Sequence, residues 1–130
     1  DKIRNKYISE NYIPKGVAGT RKLLKYFRKG SSIAIMIDQR VSQGEKIKFF
    51  NHDAYTTTIP AQFSKKYKCE IVPIYIERLD GTKFKIIINK PMKFKNEDSI
   101  KKITTDLNLW LESMILKNPS QWIWTHNRWK

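Results

Sequence analysis

The sequence predicts an α/β fold, with a mixed sheet flanked by helices, on two observations. Segments with helical spacing of apolar residues alternate with short apolar runs, in the order helix, strand, helix, strand, strand, helix. The pair Asp80–Gly81 between the last two strands is typical of a tight hairpin turn, so at least one strand pair is antiparallel. The chain has 130 residues, 40% of them hydrophobic, with no internal repeat or linker. We therefore expect a single domain over residues 1–130.

The first predicted helix combines an apolar face with a basic face. It begins at Thr20 as N-cap, runs to about Lys29, and Gly30 follows as a stop signal. Its apolar residues are Leu23, Leu24 and Phe27, and its basic residues are Arg21, Lys25 and Arg28. No acidic residue occurs between Glu10 and Asp38, so no nearby residue in the sequence neutralises this basic stripe. A solvated helix face is the simplest interpretation, and contact with an acidic partner is the alternative.

A polar triplet follows the next apolar run. Ile33–Ile37 does not alternate, which predicts a short strand buried on both faces. It ends in Asp38, Gln39 and Arg40, where the carboxyl end of a strand in an α/β sheet usually meets a ligand. Asp38 could instead cap a loop, but its place at the strand end favours a site role. Arg40 adds a cation suited to a phosphate or carboxylate.

A second helix and a hairpin are predicted in the middle of the chain. After a polar loop to Lys48, the run Thr56–Thr58 leads into Pro60, a favourable first helical residue. The predicted buried stripe of this helix consists of Ile59, Phe63 and Tyr67. The next strand, Ile71–Ile76, contains Pro73, which has no N–H and marks a strand start or an irregular edge. Beyond the turn, Phe84, Ile86 and Ile88 are expected to face the core, and Lys83 and Lys85 the solvent.

The carboxyl-terminal third predicts one long helix and an aromatic tail. Glu97–Ser99 opens the helix, and Asn118–Pro119 ends it. Its apolar stripe consists of Ile100, Ile103, Leu107, Trp110, Leu111, Met114 and Ile115. The segment Gln121–Lys130 is too aromatic to be a free end, so we expect it to pack against the domain.

The charge points to acidic partners. The 26 Lys and Arg residues exceed the 12 acidic ones, for a net charge of +14. Such an excess favours nucleic acid, anionic lipid, phosphorylated substrates or an acidic carrier protein. A genome with AT-rich codons is the other explanation, since the chain is also rich in Ile and Asn.

Several chemistries are excluded by missing motifs. The longest apolar run, Ile33–Ile37, is too short to span a bilayer. The single cysteine, Cys69, excludes an intrachain disulfide and a Cys-rich zinc site, and its simplest interpretation is a small core residue. Walker A, G-x-G-x-x-G and G-x-S-x-G patterns are absent. His52 and His126 have no partners at a metal-ligand spacing, so we expect no metal site.

A series of short motifs extends along nearly the whole chain. In order, they are Gly16–Thr20, Arg21–Leu24 with Gly30, Asp38–Gln39, Phe49–Phe50, Thr56–Thr58, Val72–Pro73 and Pro119–Lys130. This order resembles the carboxyl-terminal half of the bacterial lipid A biosynthesis acyltransferases, the lauroyl/myristoyl type, which share the glycerolipid-acyltransferase fold. Val–Pro alone is a weak signal, whereas the Asp–Gln loop, Phe–Phe, the Thr run and the Trp-x-His-x-Arg end are specific together.

The family pattern also contains features that this chain lacks. Members carry an upstream His-x4-Asp/Glu motif, whose histidine is the general base and whose carboxylate orients the imidazole. Thr57 stands at the carboxylate position relative to His52, and the chain ends before one relative to His126. The family's amino-terminal membrane helix is absent too, and Asn51 replaces the usual Gly after Phe–Phe. We therefore expect a fragment truncated at its amino terminus, with no catalytic residue of its own and with the base upstream of residue 1.

The resemblance implies acyl transfer from acyl carrier protein to a hydroxyl of a phosphorylated, Kdo-bearing lipid A precursor, without a metal or prosthetic group. It implies that Asp38, Gln39 and Arg40 bind this acceptor. Arg21, Lys25 and Arg28 are then a candidate contact for the carrier protein or an anionic membrane surface. The implied location is the cytoplasmic face of the bacterial inner membrane. His126 is interpreted as a structural hydrogen-bonding residue, and Arg128 as either an ion-pair partner or a ligand contact.

A small basic nucleic-acid-binding α/β module is the alternative function. Basic and aromatic residues together suit a single-stranded nucleic acid, because the basic residues neutralise its phosphates and the aromatic rings stack on its bases. Most aromatic residues here hold periodic core positions, however, and no RNP-like strand motif is present. We therefore expect no nucleic-acid partner.

Overall fold

The computed structural model describes residues 6–7, 13 and 16–130, except for the side chain of Val17. The chain divides into two compact units, residues 1–35 and residues 36–130. The prediction of a single domain stays a prediction. The Gly16–Thr20 motif, apart from the side chain of Val17, and all later motifs lie within the described residues.

In the first unit, helix α1 spans Val17–Arg28. It begins four residues before the predicted start, because Gly16 and not Thr20 is the N-cap, with a φ of 101° that favours glycine. Thr20 lies inside the first turn, where its Oγ1 donates to the carbonyl of Gly16 over 3.2 Å. The predicted stop is confirmed, since the helix ends at Arg28 and Gly30 has a φ of 85°.

The predicted strand Ile33–Ile37 is wrong. This segment has no regular secondary structure, and the side chain of Met36 is 72% exposed. A run that is apolar on both faces becomes a strand only when neighbouring strands and layers cover it. No described strand pairs with it.

The second unit opens with a hairpin that was not predicted: the polar loop expected up to Lys48 contains most of its first strand, and no element was predicted for its second. Strands β1 (Glu45–Phe49) and β2 (His52–Thr56) pair antiparallel, with Phe49 opposite His52. The two turn residues between them have φ values of 48° and 62°, as the tight turns that suit hairpin twist require. Asn51 occupies the second position, which fits the tolerance of asparagine for left-handed backbone.

Helix α2 spans Ile59–Tyr67, with Pro60 in its first turn as predicted and Lys68 left-handed at its end. The predicted stripe is only half-buried, and Ala61 is the fully buried residue of this helix. Ala61 packs against the apolar stripe of the last helix, alongside Ile103 and Leu107.

Strands β3 (Ile74–Arg78) and β4 (Phe84–Ile88) form the predicted hairpin around Asp80–Gly81, and Pro73 directly precedes β3. The predicted burial of this hairpin is wrong. The residues expected to face the core are more than half exposed, together with their cross-strand partners: Ile74, Ile76, Phe84, Ile86 and Ile88. Among the described residues, no element packs over this face.

Helix α3 spans Ile100–Lys117 and carries most of the core. Ser99 caps it by accepting a hydrogen bond from the N–H of Lys102 over 3.1 Å. Its buried apolar residues match the predicted stripe: Ile103, Leu107, Leu111, Met114 and Ile115. Two short 3₁₀ turns follow, Pro119–Gln121 and Trp124–His126. The described strands form two separate two-stranded antiparallel sheets. Together with the helices, these sheets confirm the α/β class.

Candidate functional site

The predicted triplet Asp38–Arg40 lies against the carboxyl-terminal arm, which we define as residues 119–130. The backbone N–H of Arg40 donates to Nε2 of His126 over 3.1 Å. The guanidinium of Arg40 lies over the ring of Tyr55, 5.7 Å from its centroid. This hydrogen bond joins Arg40 to His126, two residues that are 86 positions apart in the sequence.

Arg128 is the buried cation of this region, with 0% of its surface exposed. Its Nη1 donates to the carbonyl of Tyr55, and its Nη2 donates to Oγ1 of Thr56 over 2.8 Å. The guanidinium also lies 5.4 Å from the ring centroid of Phe49. Burial lowers the pKa of Arg128, and the negative charge of Asp38 opposes that shift. Arg128 is thus hydrogen-bonded to β2 and interacts electrostatically with the carboxylate of Asp38.

Asp38 is half-buried, and its Oδ1 is fully buried without a hydrogen-bond partner within the part of the chain that the structure describes. Nε of Arg128 is likewise buried and unpartnered there. A buried acceptor and a buried donor of complementary charge are thus both unsatisfied in one region, which is costly unless their charges offset each other or a ligand pairs with them.

Aromatic side chains surround the base of the arm. Phe49 lies 5.7 Å from the rings of both Trp122 and Trp129, and Trp122 lies 4.7 Å from Trp124. Nε1 of Trp129 donates to the carbonyl of Phe49 over 2.9 Å, which satisfies the indole as it packs. The predicted packing of the arm is confirmed.

The two histidines have different environments. His126 accepts the hydrogen bond from Arg40, as expected of a structural residue. His52 is exposed at the start of β2 and lies edge-on to Trp129, with 6.4 Å between their ring centroids. Among the described residues, neither histidine is hydrogen-bonded to a carboxylate, and no cluster of three metal-ligating side chains occurs.

The predicted site residues are therefore partly brought together. Gln39 is half-buried and Arg40 is exposed next to Asp38, within reach of the arm. Arg21, Lys25 and Arg28 are all exposed along α1, which belongs to the first unit. The burial of Arg128 against Tyr55 and Thr56 was missed. An arginine inside an aromatic segment was the available signal, because such a residue needs buried hydrogen-bond acceptors.

The chain is similar to a known family over most of its length. A family model described as bacterial lipid A biosynthesis acyltransferase matches residues 9–130. None of the curated proteins matches the chain significantly. In the described part of the chain, no helix is long and apolar enough to cross a membrane.

Proposed function

The chain belongs to the bacterial lipid A biosynthesis acyltransferase family, and we propose that it forms the acceptor-binding side of such an enzyme. The reaction would move a fatty acyl group from acyl carrier protein to a hydroxyl of a phosphorylated, Kdo-bearing lipid A precursor. The enzyme would act at the cytoplasmic face of the bacterial inner membrane.

The observation that supports this role is the unpartnered carboxylate oxygen of Asp38. A carboxylate accepts hydrogen bonds from sugar hydroxyls, and the neighbouring amide of Gln39 both donates and accepts. Arg40 is exposed beside them and would bind a phosphate or carboxylate of the same acceptor. The triplet therefore offers the three kinds of group that a phosphorylated, hydroxyl-rich acceptor requires.

The general base would come from another part of the complete enzyme. Transfer from a thioester requires a group that removes the proton of the acceptor hydroxyl. Nε2 of His126 already accepts the N–H of Arg40, and His52 lies against Trp129 with no carboxylate of the described residues bonded to it. We therefore expect residues 1–130 to bind acceptor but not to transfer the acyl group.

The basic stripe of α1 would contact an anionic partner. Arg21, Lys25 and Arg28 are exposed, while Leu23, Leu24 and Phe27 are half-buried on the other face. Each cation near an anionic bilayer contributes about 1 kcal/mol, and salt screens this attraction. Acyl carrier protein, which is acidic, is the second partner that this face would suit.

The nucleic-acid alternative has less support. A single strand would need aromatic faces free for stacking. Trp122 and Trp129 are half-buried and pack against Phe49 instead. The family match and the packed tryptophans together favour the acyltransferase.

Asp38→Asn in the complete enzyme tests the acceptor site. The loss of positioning should reduce kcat/KM for the acceptor by about 100-fold, because small misplacements of a reacting group have effects of that size. The melting temperature should change little. Asp53→Asn, an exposed carboxylate on β2, is the matched control and should leave turnover unchanged. Equal losses of folding and activity in Asp38→Asn would make Asp38 structural and refute the proposal.

The missing base is tested on the chain of residues 1–130 itself. Purified chain should show no turnover with acyl carrier protein and lipid A precursor, since the loss of a general base alone slows a reaction by about 10²- to 10⁴-fold. Turnover that disappears in His52→Ala or His126→Ala would contradict the assignment of the base to another part of the enzyme.

Charge reversal of Arg21, Lys25 and Arg28 in the complete enzyme tests the stripe. Binding to anionic vesicles or to acyl carrier protein should weaken, most visibly at low salt. Reversal of the exposed Lys83, Lys85 and Lys90 is the matched control for net charge. Equal weakening by both triple variants would attribute the binding to overall charge and not to α1.

A further inference from the structure

We propose that His126 and Arg128 are positioning residues that hold the Asp38–Arg40 loop in its acceptor-binding conformation. This inference rests on the proposed function of that loop. It assigns to the carboxyl-terminal arm a role beyond packing, and it divides that role between a backbone tether and a charge tether.

His126 supplies the backbone tether. Its Nε2 accepts a hydrogen bond from the backbone N–H of Arg40, so this contact does not use the side chain of Arg40, which is exposed and lies over the ring of Tyr55. His126 ends the 3₁₀ turn Trp124–His126, and the next residue, Asn127, is left-handed with a φ of 47°. Asn127 therefore reverses the chain between His126, which is exposed at the loop, and Arg128, which is buried against β2.

Arg128 supplies the charge tether. Its two Nη atoms donate hydrogen bonds to Tyr55 and Thr56, so the guanidinium is anchored to β2 by groups other than Asp38. Ile37, the residue before Asp38, packs against the cluster of Phe49, and the guanidinium of Arg128 lies 5.4 Å from the centroid of that same ring. A half-buried carboxylate without a hydrogen bond at Oδ1 is costly, and this cation offsets part of that cost through its charge, without a direct ion pair. Arg128 thereby stabilises Asp38 in place while leaving Oδ1 unsatisfied.

Hydrogen exchange of the Arg40 amide in the 130-residue chain tests the backbone tether. His126→Phe keeps an aromatic ring but loses the acceptor, so this amide should exchange about three- to tenfold faster. His126→Gln offers a carbonyl acceptor and should restore part of the protection. His52→Phe is the matched control and should have no effect at Arg40. Unchanged exchange in His126→Phe, or equal acceleration at Ile47 and Phe49, would overturn the tether.

A double-mutant cycle tests the charge tether. Arg128→Met leaves the Asp38 carboxylate uncompensated, and Asp38→Asn removes that charge. In the Arg128→Met background, Asp38→Asn should therefore raise the ratio of folded to unfolded protein at least about threefold relative to its effect in the wild-type background. Asp53→Asn in the same Arg128→Met background is the control and should be additive. Additivity at Asp38 as well would overturn the charge tether.

The complete enzyme separates this inference from the proposed function. His126→Phe should raise KM for the acceptor several-fold, leave KM for the acyl donor unchanged, and recover partly in His126→Gln. If the exchange and the cycle behave as expected while acceptor KM is unchanged, the tethers stand and the acceptor role of the loop fails. If neither tether is detected, the positioning role fails whatever Asp38→Asn does to activity.

Discussion

The two hairpins of the second unit have the same length and opposite environments. In the packed hairpin, β1–β2, alternate residues are buried, and Phe49 is 0% exposed. In the open hairpin, β3–β4, the corresponding apolar face is uncovered, and Phe84 is 52% exposed. Both consist of two five-residue antiparallel strands, joined by a two-residue left-handed turn in the packed hairpin and by a longer loop with left-handed Gly81 in the open one. The strands are alike in length and pairing, so the difference in burial lies in what covers each hairpin.

Long-range partners make the difference. The packed hairpin is covered by α3 and the arm: Asn108 donates to the carbonyl of Lys48 over 2.9 Å, and Trp129 donates to that of Phe49. At the edge of the open hairpin, the side chain of Gln121 forms two hydrogen bonds with Arg78. Oε1 of Gln121 accepts from the N–H of Arg78, and Nε2 donates to its carbonyl, at 3.0 and 2.6 Å. Such an edge contact leaves the apolar face exposed.

The largest expected effect comes from a matched pair of phenylalanines. Phe49→Ala should lower the free energy of unfolding by about 3–5 kcal/mol, because it leaves a cavity in the core. Phe84→Ala should lower it by about 1 kcal/mol or less, since its ring contacts mainly Arg78, at 4.6 Å. Urea unfolding of both variants checks the comparison. Similar losses in the two would mean that the open hairpin is covered in solution.

A matched pair of glycines gives the next effect. A Cβ on Gly44 would overlap the backbone carbonyl oxygen of Thr56, so Gly44→Ala should force the packed hairpin apart at a cost of about 3 kcal/mol. Gly81→Ala meets no atom within 4 Å and suffers only from its φ of 50°, at about 1 kcal/mol. Chemical denaturation checks the order of the two. Equal costs would indicate that Gly44 relaxes freely.

A change on the open face should have a still smaller effect on stability. Ile76→Thr and Ile86→Thr keep β-branched side chains on directly paired residues, so each should change the free energy of unfolding by about 0.5 kcal/mol or less. Binding of a dye that reports exposed apolar surface should fall. Ile47→Thr places a hydroxyl in the core and is the contrasting variant. Large destabilisation by Ile76→Thr would show that this face is buried.

The smallest effect concerns the solvent side of the packed hairpin. The hydrogen bond and charge of Lys48 lower the pKa of Asp53 below 3.8. The pair therefore stabilises the folded state above that pH, and the contribution is lost as pH falls through the lowered pKa. Both side chains are more than half exposed, so Lys48→Met should return the pKa of Asp53 towards 3.8 in an NMR titration with little change in melting temperature. A clear loss of stability at neutral pH would contradict this.

Local chemistry in the sequence accounts for the elements that were predicted correctly. Pro60 and Ser99 mark the starts of α2 and α3, Gly30 follows α1, and Asp80–Gly81 forms a turn. Each of these signals acts within a few residues, so no distant contact is needed to interpret it. The family was likewise predicted from short motifs, which can be read without any distant contact. The match over residues 9–130 confirms the family.

Tertiary contacts decided burial, pairing and the composition of the site. The alternation in β4 correctly grouped Phe84, Ile86 and Ile88 on one face, but nothing local states whether a second layer covers that face. Ile33–Ile37 has the composition of a buried strand and no partner to pair with among the described strands. Arg128 is buried only because carbonyl and hydroxyl acceptors on β2, more than 70 residues earlier, satisfy its guanidinium. Hydrophobicity is a property of one residue, whereas burial and hydrogen bonding need a partner that chain folding brings into place.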